Sequence, residues 1–406
     1  MCASPYVPAL EGHILDANFN VNSRTAIGSA ILLGTLGVLS FIIQPALVQG
    51  FVTEMGISEA EALNLAGIEM LGVAIATIAL VLPGVRIDWR RALFLALITA
   101  AIGNLMSAAL TGTSGLWGAR LISGIGHGAI ISLSFSFIGL TRQVDRNIAL
   151  YLTSLLTYGA LGIWTLPALL DLFGFAGLFL SFAIIIAIGL TTVRFVPRSP
   201  DTRNDVPDSA RDLPKIQRLV ALMGVLSYNL AQGIAWAVVF LVGVNAGIGE
   251  TVVGGALFVS QVLAIGGALA SVFLAHLLAR RVAVTLGILG GCACIALLLG
   301  KPGPSLFLIG VCGFNVLWNF VLPFILAAVG EFHTSGRMVG NAIAMQMIGL
   351  GLGPFVAAWL TDGSDYQVVI YTCIGFFLAS FCLLMLPMHA QIGLLRKEKG
   401  ASGYAA

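Results

Sequence analysis

Residues 117–142 read WGARLISGIGHGAIISLSFSFIGLTR, an apolar run interrupted by the ionisable residues Arg120 and His127. At a rise of 1.5 Å per residue, this run is long enough to cross a bilayer as one helix. Its SGIGHG segment carries three glycines, which allow a neighbouring helix to approach closely. Because an ionisable group is costly in hydrocarbon, we expect Arg120 and His127 to face protein or a water-filled cavity. The stretch therefore predicts a membrane helix that lines a polar path.

The composition of the whole chain agrees with a membrane location. Of its 406 residues, 58% are hydrophobic and 9% are charged, whereas soluble domains carry about 25% charged residues. The net charge of +2 is too small to indicate a nucleic-acid partner. Five of the six cysteines lie in apolar runs, which favours buried thiols over a disulfide framework. The sequence thus indicates an integral membrane protein.

Apolar runs bounded by charges or by Pro and Gly predict twelve membrane spans. The spans are expected near residues 26–51, 61–83, 92–111, 116–140, 148–170, 175–196, 217–243, 251–278, 282–300, 304–329, 337–360 and 368–388. The fold class is therefore an all-α integral membrane protein with twelve transmembrane helices. The charged, proline-rich connection 197–216 divides these into an N-terminal bundle at 26–196 and a C-terminal bundle at 217–388. Arginine pairs at Arg90-Arg91 and Arg280-Arg281 indicate that the two six-helix bundles repeat each other with pseudo-two-fold symmetry.

The distribution of lysine and arginine predicts the orientation. Most of these residues fall in loops on one side of the predicted spans, while the opposite loops carry mainly acids. By the positive-inside rule, the tails 1–25 and 389–406 and the central loop are predicted to be cytoplasmic. The first 24 residues lack a basic start followed by an apolar core, so they do not resemble a signal peptide. We expect a multi-pass protein of a bacterial inner membrane.

The loop after the second span carries a charged motif. Residues 84–93 read GVRIDWRRAL. Gly84 and Asp88 keep the spacing of the pattern Gly-x-x-x-Asp-Arg-x-Gly-Arg-Arg, although Trp89 stands at the first arginine and the arginine pair comes two positions early.

Two further motifs lie in spans 4 and 11. Residues 120–128, RLISGIGHG, match Arg-x-x-x-Gly-x-Gly, and residues 349–354, GLGLGP, match Gly-x-x-x-Gly-Pro. With the twelve spans, the repeat and the long central loop, these motifs resemble the major facilitator superfamily over essentially the whole chain. The resemblance implies two bundles that alternate access to a central cavity lined by spans 1, 4, 7 and 10.

Polar and aromatic residues on those four spans are predicted to bind the transported solute. Such a site needs a few aimed hydrogen bonds among apolar walls. Tyr228, Gln232 and Trp236 recur every four residues and so share one helix face. The predicted substrate-binding residues are Gln44, Arg120, His127, Tyr228, Asn229, Gln232, Trp236, Asn315, Trp318 and Asn319.

Glu69 is the only carboxylate within the apolar body of a span, and such a residue is functional by default. Imidazole changes charge near neutral pH. Glu69 and His127 are therefore the predicted proton-coupling residues, and an ion pair between Glu69 and Arg120 is compatible with that role. The alternatives are that Glu69 and His127 only hydrogen-bond between helices and that Arg120 extends to the outer interface. Gln261, Asn341 and Gln346 are expected to make contacts between helices.

Charged residues near the cytoplasmic helix ends are predicted to act in gating. By the resemblance, Asp88, Arg91 and Arg142 would latch the outward-open state, and Arg281, Glu331 and Arg337 would do the same in the second half. The alternative for each cluster is a set of solvated loop charges.

The sequence therefore predicts a secondary active transporter of a small organic solute, coupled to protons. Arg120 and His127 favour an anionic or polar solute. The alternative is a proton-antiport efflux pump for drugs or hydrophobic compounds, for which only Glu69 offers a cavity acid. The motifs GxxxxGK[ST], HExxH and GxSxG do not occur, which argues against direct ATP drive and against a membrane enzyme. We expect no cofactor or metal, a monomer, and the solute, the proton and the lipid bilayer as partners.

Overall fold

The computed structural model describes residues 19–81, 87–110, 113–198, 212–333, 337–361 and 365–402. Its regular elements are twelve α-helices and one short 3₁₀ helix, Leu190–Phe195. The helices are α1 Arg24–Gly37, α2 Gln44–Met55, α3 Glu59–Val81, α4 Trp89–Ala109, α5 Thr113–Ile138, α6 Val144–Gly189, α7 Lys215–Asn245, α8 Glu250–Leu274, α9 Arg280–Ala296, α10 Pro304–Gly330, α11 Arg337–Leu360 and α12 Gln367–Ser402.

These helices correspond to the twelve predicted spans, but not one to one. Within the described residues, nine stretches are long and apolar enough to cross a membrane. One of these stretches contains both span 5 and span 6, which are continuous in α6. The two spans are separated by a kink at Gly174, where φ is 61°, a value that glycine adopts readily. Two predicted spans remain. α1 and α2 together form the first span, and the 17-residue α9 forms the ninth.

Two boundaries differ from the sequence-based expectation. The first span is not one helix over 26–51, since α1 ends at Gly37 and α2 begins at Gln44. The predicted C-terminal tail 389–406 is helical as far as Ser402. Of the central loop and the N-terminal tail, residues 199–211 and 1–18 lie outside the described part of the chain.

Loop contacts identify the end of the bundle at which α1 and α7 begin, here called the terminal end. The backbone N–H of Arg142, after α5, donates to Asn22 Oδ1 before α1 at 2.6 Å. The Trp89 N–H at the start of α4 donates to the Arg198 carbonyl at 2.8 Å. These contacts join loops whose arginines gave the predicted cytoplasmic side.

The two halves contact each other at the opposite end, here called the far end. Gln49 Nε2 of α2 donates to Glu250 Oε1 of α8 at 2.9 Å. The Tyr366 hydroxyl, before α12, donates to the carboxylate of Glu59 on α3. Polar contacts between the bundles therefore hold the far end together.

Glycines set the spacing between α5 and its neighbours. A Cβ atom on Gly124 would collide with the Glu69 carbonyl of α3, and one on Gly128 would collide with the Val73 carbonyl. On another face of α5, a Cβ on Gly126 would strike the backbone of Ala100 in α4. Close helix approach through small residues is typical of membrane interiors. This approach brings side chains of α5 against Glu69.

Candidate functional site

A buried ionic cluster lies inside the N-terminal bundle. The Glu69 carboxylate pairs with Arg120 Nη2, and its Oε1 lies 3.3 Å from His127 Nδ1. Only 3% of Glu69 and 1% of each of Arg120 and His127 is exposed. Because isolated charges are very costly in such surroundings, this pairing is what permits their burial.

The position of these residues on α5 explains the cluster. Arg120, Gly124 and His127 follow one another at helical spacings of four and three, so they share a face. The glycine on that face touches α3 at the Glu69 backbone. Larger side chains one turn to either side therefore reach the Glu69 carboxylate. Being fully buried, Arg120 does not extend to the membrane interface.

The guanidinium of Arg120 has further partners. Its Nη2 donates to Ser40 Oγ at 2.8 Å, and its Nη1 donates to Asn104 Oδ1 at 3.2 Å. Its Cζ lies 4.6 Å from the centre of the Phe179 ring, within the range of a cation–π contact. Hydrogen bonds and charge on several sides thus fix the guanidinium plane.

The break between α1 and α2, residues 38–43, exposes backbone carbonyls in mid-span. In a membrane interior such groups need protein partners. The Tyr158 hydroxyl donates to the Leu39 carbonyl at 2.7 Å. From the other bundle, Trp236 Nε1 donates to the Phe41 carbonyl at 3.1 Å, and Gln261 Nε2 donates to the Ile42 carbonyl at 3.3 Å.

A cavity of about 160 Å³ lies between the two halves beside this break. Val38, Phe41 and Ile42 of the break line it, as does Met70, the residue after Glu69. The lining is otherwise mostly aliphatic and aromatic, and no charged side chain is among the described residues that form it. The polar lining residues are Gln261, Asn315, Asn319 and Gln346. The cavity therefore offers amide hydrogen bonds within an apolar wall.

Aromatic rings and amides organise the cavity wall. Trp318 packs edge-to-face on Trp236, with ring centroids 6.0 Å apart. Asn315 Nδ2 donates to Gln261 Oε1 at 3.2 Å, and Asn319 Nδ2 donates to Asn315 Oδ1 at 3.1 Å. The amide row thus runs from α10 to α8 and continues through Gln261 to the break.

The structure brings four of the predicted substrate residues to the cavity, Trp236, Asn315, Trp318 and Asn319. Arg120 and His127 instead face Glu69. The other four, all of them buried, do not line the cavity and are Gln44, Tyr228, Asn229 and Gln232. Two of them pair on α7 itself, where Gln232 Nε2 donates to the Tyr228 hydroxyl at 2.6 Å.

Several lining residues were not among the predicted site residues. Gln261 and Gln346 were expected only to make contacts between helices. Both line the cavity, and Gln261 also donates to the Ile42 carbonyl of the break. Phe41 and Met70 are apolar and carry no sequence signal for a site. The two glutamines were noticed only as polar residues within apolar spans 8 and 11.

The predicted gating residues of the first half do not form one cluster. Asp88 caps α4, where its Oδ1 accepts from the Arg91 N–H at 3.1 Å. The Arg91 side chain is 86% exposed and lies 3.7 Å from Asp88 Oδ2. Within the described residues, Asp88 and Arg142 form no ion pair. The tie expected between these two loops is thus absent from this conformation.

In the second half, Glu331 pairs with Arg280, and among the described side chains it does not pair with the predicted Arg281. Adjacent helical residues point about 100° apart, so only one arginine of the pair can face Glu331. Gln391 Nε2 of α12 also donates to Glu331 Oε2, at 3.2 Å. The side chain of Arg337 lies outside the described part of the structure.

Comparisons with known proteins agree with this architecture. The family model described as "Major Facilitator Superfamily" matches residues 29–335. Among solved structures, the chain is similar to the human organic anion transporter MFSD10 (TETRAN), with 18% identity and a TM-score of 0.64. That alignment covers 89% of this chain and 99% of the human one. No curated protein matches the sequence. The family match spans most of the chain, and the protein therefore belongs to the major facilitator superfamily, a family of membrane transporters and not of enzymes.

Proposed function

We propose that the protein is a proton-coupled secondary transporter that moves a small organic solute by alternating access. The observation that carries this proposal is the buried Glu69–Arg120–His127 cluster directly beside the cavity between the halves. Glu69 and the cavity-lining Met70 are consecutive residues of α3. A change of charge at Glu69 therefore occurs one residue along α3 from the cavity wall.

The cluster can exist in two charge states with different packing demands. An ionised Glu69 neutralises the Arg120 guanidinium, whereas a protonated Glu69 leaves that buried charge without its partner. The buried Nε2 of His127 has no hydrogen-bond partner among the described residues, so it offers a second position for a proton. Each charge state favours a different arrangement of the helices, which is what coupling requires.

The cavity wall supports a neutral or amphipathic solute. The sequence-based preference for an anion rested on Arg120 and His127, and the charges of both are directed at Glu69. The uncharged lining favours the alternative of hydrophobic compounds with one or two hydrogen-bonding groups. The human protein described as an organic anion transporter is similar in fold, at 18% identity. We retain the predicted bacterial inner membrane, cytoplasmic termini and monomer as parts of the proposal.

Flux in proteoliposomes with an imposed pH gradient tests this function. We expect the parent protein to accumulate a neutral amphipathic compound and Glu69→Gln to bind it without gradient-driven accumulation. Glu54→Gln, at an exposed position of α2, is the matched control and should behave as the parent does. Equal accumulation by Glu69→Gln at every gradient would refute proton coupling through this residue. Saturable transport restricted to anions would refute the solute class.

A further inference from the structure

We propose that the break at residues 38–43 transmits the charge state of the Glu69 cluster to the contact between the two bundles, with Ser40 as the positioning residue. The inference rests on the proposed proton coupling and adds the path by which the coupling acts. It concerns a segment of the first span that belongs neither to the ion pair nor to the cavity amides.

One atom joins the cluster to the break. Arg120 Nη2 pairs with Glu69 and also donates to Ser40 Oγ at 2.8 Å. A guanidinium nitrogen carries two hydrogens, one for each of these acceptors. When Glu69 loses its charge, the balance of forces on Nη2 changes, and Ser40 is the remaining acceptor of that nitrogen. Movement of the guanidinium is therefore passed to the backbone of the break.

The next two residues join the break to the other bundle. The Phe41 carbonyl accepts from Trp236 on α7, and the Ile42 carbonyl accepts from Gln261 on α8. A continuous helix would use the Ile42 carbonyl for the N–H of Ala46, whereas the Phe41 carbonyl lies four residues before Pro45, which has no N–H. The Phe41 carbonyl also accepts from the Gln44 N–H at 3.2 Å, so Trp236 is its second donor. Ser40, which bonds Arg120, is thus followed directly by the two residues whose carbonyls bond the opposite bundle.

The same segment also contacts the solute cavity. Val38, Phe41 and Ile42 line it, and Gln261 accepts from the cavity residue Asn315 at 3.2 Å. A shift of the break therefore changes the bundle contact and the cavity wall together. Coupling of solute binding to proton binding requires one element that both events bias.

The titratable groups that face this path are Glu69, Arg120, His127 and Tyr158. Tyr158 donates to the Leu39 carbonyl and so anchors the break to α6. Its hydroxyl serves as a donor to the backbone, which leaves the Glu69 carboxylate and the His127 imidazole as the proton-binding groups of the proposal.

Pulsed spin-label distances between the terminal ends of the bundles test the path. Labels at Arg146→Cys and Leu277→Cys, both exposed positions, report the separation in nanodiscs on a background without native cysteines. In the parent, we expect the distance distribution to change between about pH 5 and pH 8. Ser40→Ala should lose this pH response, and so should Trp236→Phe, which keeps an aromatic ring but lacks the Nε1 donor.

Thr35→Val is the matched control. Its hydroxyl bonds Ser154 at 2.9 Å within the same bundle, and the variant should keep the full pH response. Ser40→Thr, which retains a hydroxyl, should restore the response that Ser40→Ala loses. A parent that responds to pH while Ser40→Ala and Trp236→Phe respond equally would overturn the path and leave the coupling intact. A parent without any response would overturn the proposed coupling itself and the path with it.

Discussion

At the scale of single residues, the proposed function depends on one buried carboxylate, Glu69, with the Arg120 guanidinium and the His127 imidazole beside it. Glu69 pairs with Arg120 and lies beside His127, while Ser40 and Asn104 bind the Arg120 guanidinium, so protein groups compensate the buried charges. The stability of the cluster depends on the presence of both charges. Removing one partner of a buried ion pair lowers the free energy of unfolding far more than replacing both partners with apolar residues. The proposed proton coupling relies on this dependence of each charge on its partner.

This dependence gives a stability prediction. Glu69→Gln leaves the Arg120 guanidinium uncompensated and should lower the free energy of unfolding by about 3–5 kcal/mol. The double variant Glu69→Gln/Arg120→Met removes both charges and should recover part of that loss. Thermal unfolding midpoints in detergent measure both effects, with Glu54→Gln as the exposed control. A double variant no more stable than Glu69→Gln would contradict the ion pair as the source of the loss.

At the scale of elements, α5 is positioned by glycines and the first span by its break. The glycine face of α5 lets the Glu69 backbone lie close enough for Arg120 and His127 to reach its side chain. The break in the first span offers carbonyls that α7 and α8 bind. Two departures from a uniform apolar helix thus supply the polar centre of the molecule.

Substitution of a packing glycine tests the role of α5. Gly124→Ala places a Cβ against the Glu69 carbonyl and should destabilise the protein by about 1–3 kcal/mol, since overpacking forces the helices apart. Gly118→Ala, in the same helix, meets nothing within 4 Å and should stay within about 0.5 kcal/mol of the parent. Thermal unfolding compares the two directly. Equal midpoints would mean that the α3–α5 contact does not depend on the small residue.

At the scale of the whole molecule, α3 packs against α11 between the bundles, and polar contacts join the bundles at the far end and at the break. Gln49–Glu250 and Glu59–Tyr366 join them at the far end. The predicted gating pair Asp88–Arg142 at the terminal end is not formed. With the predicted orientation, this conformation is closed towards the outside of the cell.

The orientation has its own test. On a background without native cysteines, Lys215→Cys and Thr251→Cys put single thiols at exposed positions near the terminal and far ends, respectively. Because arginine and lysine collect at the terminal end, we expect an impermeant thiol reagent to label only Thr251→Cys in intact cells. Labelling of Lys215→Cys after membrane disruption verifies its accessibility. The reverse pattern in intact cells would invert the assignment of sides.

The sequence by itself determined the fold class and the family, because hydrophobic span length and the Arg-x-x-x-Gly-x-Gly pattern are local properties. It also identified Glu69, Arg120 and His127 as unusual, since an ionisable residue in an apolar run needs no structure to be noticed. The tertiary structure decided which of them meet and which residues line the cavity. Gln261, the Arg280 partner of Glu331 and the carbonyls of the break acquire their roles from helices distant in sequence. Pro45 lacks an N–H for the Phe41 carbonyl, which the sequence shows, but the donors from α7 and α8 and the free Ile42 carbonyl appear only when the chain folds and the helix stops in mid-membrane.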